Sequence, residues 1–312
     1  MNEQKRYRDP LRGARSYSSL RDRSLRHSIT AVLLLLFSTG CVNHIFLHPD
    51  IAREAALQHP TNPDLYGEHP DQIVVTNGSG AKLSGWCFSA PTNHGVILIG
   101  DGNATGLAQT YEYNRYLLHH GFNVLILSYQ GFDANDGEAD VNSLVDDVEA
   151  FYEFCKSRFP DQPIAFVAQS VSTDPFFCSA SRHPELAGMV LEAMVDLKTV
   201  AWSKVVDWWA LYPLFPITFP MAGIACARMP SELSITKALA RHPHIPALFI
   251  HHPDDRVTPY RIAHRTYERY EGPKEFIDLH ADRTGEFHMT GAFEPEIRAR
   301  VVAFIESAFR GK

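Results

Sequence analysis

The sequence predicts an α/β protein: a mostly parallel, twisted sheet with helices on both faces. Three observations carry that expectation. Short, nearly continuous apolar runs recur at Val96–Ile99, Asn123–Leu127, Ile164–Val167, Met189–Leu191, Ala247–Ile250 and Phe276–Leu279, as in strands buried on both faces. Helical patterns fall between most of them, at Tyr111–His120, Ser143–Arg158, Ser172–Arg182 and Tyr260–Tyr270, and a last amphipathic helix runs from Pro295 to about Phe309. Strands alternating with helices supply the crossovers that parallel pairing requires. The composition, 45% hydrophobic and 21% charged over 312 residues, suits one large domain and excludes a disordered chain, a collagen-like repeat or a coiled-coil rod.

Residues 1–28 are basic, and the apolar run Ile29–Phe37 follows, then Ser38-Thr39-Gly40-Cys41. Nine residues of helix span only about 13–14 Å against roughly 30 Å of hydrocarbon, so the run reads as a signal-peptide core. Small residues before a cysteine resemble a bacterial lipobox, in which that cysteine is lipidated and becomes the mature N-terminus. Residues 1–40 are therefore expected to be a lipoprotein-type signal peptide and Cys41 the lipidation site, on the periplasmic face of the cell envelope. An uncleaved anchor through Ile45-Phe46-Leu47 and soluble secretion stay open. Residues 1–40 hold eight Lys or Arg against three Asp or Glu, so the rest of the chain holds 21 against 33. An acidic body argues against nucleic acid as a partner, because phosphate binding needs clustered cations.

Residues 41–70 form a polar, proline-containing lead-in, and residues 71–312 the α/β domain. Extended segments at Gln72–Thr76 and Lys82–Ser89 flank Asn77-Gly78-Ser79-Gly80, a hairpin signal, and add an antiparallel edge. The interval from about 195 to 245 breaks the strand–helix alternation. It holds Trp202, Trp208, Trp209 and the proline-rich stretch Tyr212–Met221, and reads as a cap insertion, with a plain helical connection as the alternative. Cys87, Cys155, Cys178 and Cys226 are widely spaced, without a C-x-x-C pair, and are expected to be buried thiols, although an exported compartment permits a disulfide.

The segment Ile164–Ser172 carries the chemistry. An apolar strand runs into Ala168-Gln169-Ser170-Val171-Ser172 and then into a helix, the context of a nucleophile elbow, a tight strand-to-helix turn that lifts a serine Oγ above the sheet edge. Alone, a small-x-Ser-x-small string is weak. Two further segments follow in order: His252-Pro253-Asp254-Asp255 after one strand, and Gly285-Glu286-Phe287-His288 after the last. Ser, then Asp, then His is the chain order of α/β-hydrolase triads. The loop after the third strand, Gly100-Asp101-Gly102-Asn103-Ala104-Thr105-Gly106, lacks dinucleotide-binding spacing. By position, the N–H groups of Asn103 and Val171 would form an oxyanion hole.

Over residues 70–312 the chain resembles the α/β-hydrolase superfamily, and more narrowly its membrane-anchored, serine-aminopeptidase-like or lysophospholipase-like hydrolases. Asp101-Gly102-Asn103-Ala104-Thr105 is similar to their His-Gly-Asn-Ala-Gly, and Tyr129-Gln130-Gly131-Phe132-Asp133 to their Tyr-Arg-Gly-Phe-Gly. The resemblance implies an α/β-hydrolase fold, with Ser170 as nucleophile, His288 as base and Asp255 as its orienting acid. The sequence departs from the pattern at the two elbow glycines, at Asp101 and at Gln130. Asp101 sets a carboxylate beside a site that must stabilise an anion.

The expected activity is a serine hydrolase that cleaves an ester, thioester or amide of a small or lipid-like acyl substrate through an acyl-enzyme, with neither cofactor nor metal. A non-catalytic lipoprotein of the same fold is the alternative. His242 and His244 lie at the opposite end of a strand from His251 and His252, so these four cannot share one ion; His251, His252, Asp254 and Asp255 leave a local metal site open.

Overall fold

A computed structural model of the protein describes residues 43, 46–58, 62–133, 135–207, 223, 226–255, 257–280 and 294–312. Residues 1–40 (expected to form a signal peptide), Cys41, the Tyr212–Met221 stretch and His288 lie outside the described residues.

Helix α1 (Pro49–Gln58) precedes the hairpin β1 (Asp71–Thr76) and β2 (Lys82–Phe88). The turn is organised by buried Asn77, whose Oδ1 accepts Ser79 N–H (3.0 Å) and Ala81 N–H (2.9 Å) and whose Nδ2 donates to Asp147 (2.7 Å). Gly80 supplies φ +88°, a conformation that strains any residue with a Cβ. Then follow β3 (Val96–Gly100), α2 (Leu107–His119), β4 (Asn123–Leu127), α3 (Leu144–Arg158), β5 (Ile164–Gln169), α4 (Thr173–Ala180), β6 (Gly188–Glu192), α5 (Leu197–Asp207), α6 (Ile235–Leu239), β7 (Ala247–His251), α7 (Tyr260–Arg269), β8 (Lys274–Asp278) and α8 (Pro295–Arg310).

The strands form one sheet in the order β1-β2-β4-β3-β5-β6-β7-β8. The pairs β1–β2 and β2–β4 are antiparallel, and the other pairs are parallel. Each parallel strand feeds both faces with a period of two. Val96 and Leu98 of β3, Phe166 and Ala168 of β5, and Ala247 and Phe249 of β7 pack in one buried layer with Phe151 of α3 and Phe176 of α4. Their neighbours Ile97, Ile99, Val167, Leu248 and Ile250 pack in the opposite layer with Tyr111 of α2 and Val302 and Ile305 of α8. Helices on both faces explain why these strands read as unbroken apolar runs.

The sequence misplaces some ends and misses one helix. Helix α2 begins at Leu107, four residues before its apolar pattern, because Gln109 Oε1 accepts the N–H of Gly106, which precedes that first turn (3.2 Å). The lead-in is helical over Pro49–Gln58 and buries Phe46, Leu47 and Ala52 in the core layer of α3 and α4. Its polar composition hides these few inward residues. Helices α5 and α6 occupy part of the interval expected to form a cap. Cys87, Cys155, Cys178 and Cys226 are free and buried thiols; burial pushes the Cys87 thiol up to about 11.

Candidate active site

The C-terminal ends of the parallel strands bring Ser170, Asp255 and the loop of Asp101 to Asn103 to one edge. Gly100 of β3 is level with Ala168 of β5, Gln169 with Glu192 of β6, and Glu192 with Ile250 of β7. At about 4.8 Å between neighbouring strands, the chain leaves β3, β5 and β7 within a span of about 15 Å. Ser170 follows β5, Asp101 to Asn103 follow β3, and Asp255 follows β7. Strand β8, which precedes His288 in the chain, also ends here, its residue Asp278 level with His251.

Ser170 sits on the tight turn that the small flanking residues permit. Gln169 is extended (φ −126°, ψ 140°), Ser170 turns to φ +51°, and one turn of 3-10 helix over Ser170–Ser172 leads into α4. A positive φ on a residue with a Cβ costs roughly 1–2 kcal/mol, so packing must hold it there. Thr173 Oγ1 donates to the Ser170 carbonyl (2.6 Å) and accepts the N–H of Val195 beyond β6 (3.0 Å). Ala168 and Ser172 are fully buried. A Cβ on Gly100 would stand 2.4 Å from the Phe176 ring and 3.0 Å from Ser172 Cβ. The space that glycines usually give the elbow is supplied here by an alanine, a serine and a glycine on the neighbouring strand.

The loop after β3 is fixed peptide by peptide. Ser172 donates its hydroxyl to the Asp101 carbonyl and accepts one from Tyr129 (2.9 Å). The Asp101 carboxylate accepts the N–H of Gly102 (2.7 Å), so one oxygen of the charge that the sequence sets beside the loop is bound within the loop. Thr105 Oγ1 donates to the Gly102 carbonyl (2.9 Å), and the Asn103 carbonyl accepts the N–H of His48 (2.8 Å). The Gly102 carbonyl and the Asn103 N–H belong to one trans peptide and point in opposite directions, so holding the first orients the second.

The acid loop also separates the two candidates. Asp255 is buried, and its carboxylate accepts Val257 N–H (2.7 Å), Thr258 N–H (2.9 Å) and Thr258 Oγ1–H (2.7 Å). Asp254 is exposed, and its N–H donates to His252 Nδ1 (3.0 Å). His251 Nε2–H donates to the Thr258 carbonyl (2.8 Å) and lies 3.6 Å from Asp255 Oδ2. Both imidazoles thus serve the folding of this loop.

Sequence reasoning missed several supports of the site. Gln169 Nε2 donates to Glu192 (2.7 Å), both buried. Asp133, at φ +49°, accepts Ser128 Oγ–H (2.5 Å) and Leu107 N–H (3.3 Å) at the start of α2; burial raises its pKa. Gln130 donates from Nε2 to the Glu138 carbonyl (3.0 Å). An acid at the start of a helix is a capping signal, but Asp133 acts on a helix 26 residues upstream, which no local pattern reveals.

No family model matches the chain. It is 22% identical over 306 residues to the uncharacterized protein YfhR of Salmonella typhimurium, covering 92% of this chain and 98% of that protein. It is 23% identical over 209 residues to the uncharacterized protein Rv2307c of Mycobacterium tuberculosis, covering 66% and 69%. Among solved structures it superposes on the Pyrococcus furiosus esterase Pf2001 with a TM-score of 0.62 at 16% identity, covering 80% of this chain and 94% of that one. The α/β hydrolase GrgF of a Penicillium species gives 0.59 at 15% identity, covering 78% and 99%.

The chain has the α/β-hydrolase fold.

The α/β-hydrolase fold brings to one sheet edge a strained serine, a buried aspartate and a loop with a fixed N–H. That set can add a hydroxyl to a carbonyl and stabilise the resulting oxyanion, once a base removes the serine proton.

Proposed function

We propose that the protein is a serine hydrolase acting on carboxylic esters, with thioesters and amides as alternatives, through an acyl-enzyme on Ser170. His288 takes the Ser170 proton as Oγ attacks the substrate carbonyl, and Asp255 holds the imidazole in the required tautomer. The N–H groups of Asn103 and Val171 receive the oxyanion. Collapse of the tetrahedral intermediate passes the proton from His288 to the leaving group. Water, deprotonated by the same histidine, then releases the acid. The observation that carries this reading is Ser170 at φ +51° between β5 and α4, a strained position that serves to present a hydroxyl.

Structural neighbours that are esterases, among them Pf2001 and a carboxyl esterase of Bacillus coagulans, support an ester as the substrate. Cys41 as a lipid anchor on the periplasmic face completes the reading; it would bring the enzyme to small or lipid-like acyl substrates at the membrane. The test is a fluorophosphonate probe followed by a panel of p-nitrophenyl esters. The protein should be labelled and active, and Ser170→Ala should be neither. An unlabelled, inactive wild-type protein would return the reading to a non-catalytic lipoprotein.

A further inference from the structure

The lead-in between Cys41 and the sheet has no place in the chemistry described above, yet its main chain reaches the candidate oxyanion loop. Three observations define the contact. Asn43 Oδ1 accepts the N–H of Val141 (3.0 Å), so the segment is held at its start. Phe46 and Leu47 are 7% and 2% exposed and share the buried layer of Tyr129, Phe132 and Val141. His48 then donates its N–H to the Asn103 carbonyl (2.8 Å), and its own carbonyl accepts Ala52 N–H (3.2 Å) in the first turn of α1.

These bonds bracket the peptide that carries the Asn103 N–H. The peptide before it is held by Ser172 through the Asp101 carbonyl, and the peptide after it by His48 through the Asn103 carbonyl. An oxyanion donor works because it is already aimed when charge develops, so a donor free to rotate loses much of its effect. We infer that the lead-in is a positioning strap for the oxyanion loop and that the main-chain N–H of His48 is its positioning group. The inference rests on the reading of Asn103 as an oxyanion donor. Asn43 stands two positions after Cys41, so any anchor at Cys41 is joined to the catalytic loop through this strap.

The experiment separates the N–H from the side chain. In the full chain held in detergent, His48→Pro deletes the donor and His48→Ala keeps it. His48 stands before the first helical residue, Pro49, so its N–H takes no part in the helix's own hydrogen bonds. The readouts are kcat and KM on p-nitrophenyl butyrate and the rate of fluorophosphonate inactivation. With the strap bond gone, kcat and the inactivation rate should each fall about tenfold with KM little changed, a smaller loss than the ~10²–10³ expected for deleting an oxyanion donor itself. His48→Ala should retain wild-type values. A folded His48→Pro protein with wild-type kcat overturns the inference, as does an equal loss in His48→Ala. Should His48→Pro not fold, Asn43→Ala decides: it loosens the strap at its other end, and unchanged turnover in that variant overturns the inference. A wild-type protein that fails to react with the probe would instead refute the hydrolase reading, so the two failures are distinct.

Discussion

Ser172 donates its hydroxyl proton to the main-chain carbonyl of Asp101, tying the turn that carries Ser170 to the loop that carries Asn103. Tyr129 Oη donates to the same hydroxyl (2.9 Å), and all three groups are buried. Ser172→Ala strands both the Tyr129 hydroxyl and the Asp101 carbonyl and should cost about 2 kcal/mol in denaturant unfolding, with reduced turnover. Tyr129→Phe removes one donor and leaves Ser172 bonded, so it should cost less. In the double variant the stranded phenol is gone too, and its destabilisation should fall below the sum of the singles. Strict additivity would show that the relay is not a unit.

Much of this site can be read along the chain and some of it cannot. Ser170, Asp255 and the loop after β3 are legible because each stands where an apolar strand ends, and strand ends in a parallel sheet converge on one edge. Ser172 is legible as a residue but not in its role: in a one-dimensional reading it is a missing glycine, and only the packed structure shows its hydroxyl holding Asp101. The His48 bond spans 55 positions and uses main-chain atoms alone, so no side-chain pattern could announce it. The exposed Asp254 and buried Asp255 are chemically identical in sequence. The resemblance favours Asp255, and the turn geometry places its carboxylate inside.

The strain at Ser170 gives a second prediction. At φ +51° a Cβ costs energy that glycine does not incur. Glycine ordinarily destabilises relative to alanine because its unfolded chain is freer. Here the order should invert, with Ser170→Gly more stable than Ser170→Ala by about 1 kcal/mol in thermal or urea unfolding. Both would lack activity. A less stable glycine variant would mean that the turn is not strained.

Lipidation at Cys41 predicts that no unmodified peptide crosses Gly40–Cys41 in the mature, membrane-fraction protein. Peptide mass spectrometry reads this directly. Such a peptide at full abundance would point to an uncleaved anchor in which the Ile29–Phe37 run is retained.

Asp254→Asn and Asp255→Asn should separate by function. Asp254 is exposed, and its backbone N–H, which the substitution keeps, makes the bond to His252, so turnover should persist with little loss of stability. Asp255→Asn keeps an oxygen to accept Val257 and Thr258 but loses the charge that, in the proposed triad, fixes the imidazole, a change worth on the order of 10⁴ in turnover for a triad acid. Measuring kcat on one ester for both variants, with circular dichroism to verify folding, decides between them. The reverse ranking would move the acid to Asp254.

A buried acid behind the elbow contributes to the pH dependence of stability. Asp174, in the first turn of α4, is 1% exposed. Its carboxylate accepts the N–H of Leu197 at the start of α5 (2.8 Å) and lies 3.4 Å from the Cys178 thiol. Burial, then the neighbouring charge of Asp196, push its pKa from 3.8 up to about 7. A carboxyl with a raised folded-state pKa binds its proton more tightly folded than unfolded. Its contribution is therefore fully present below pH 3.8 and is lost as pH rises through about 7. Between these limits the wild-type protein should lose on the order of a few kcal/mol from this group, set against other carboxylates of opposite sign. Asp174→Asn retains an acceptor for Leu197 and cannot ionise. Urea unfolding at pH 5 and pH 8 should show the variant gaining on the wild type as pH rises. A constant difference between the two proteins across that range would mean that Asp174 titrates below it, and that the α4–α5 junction holds its charge without cost.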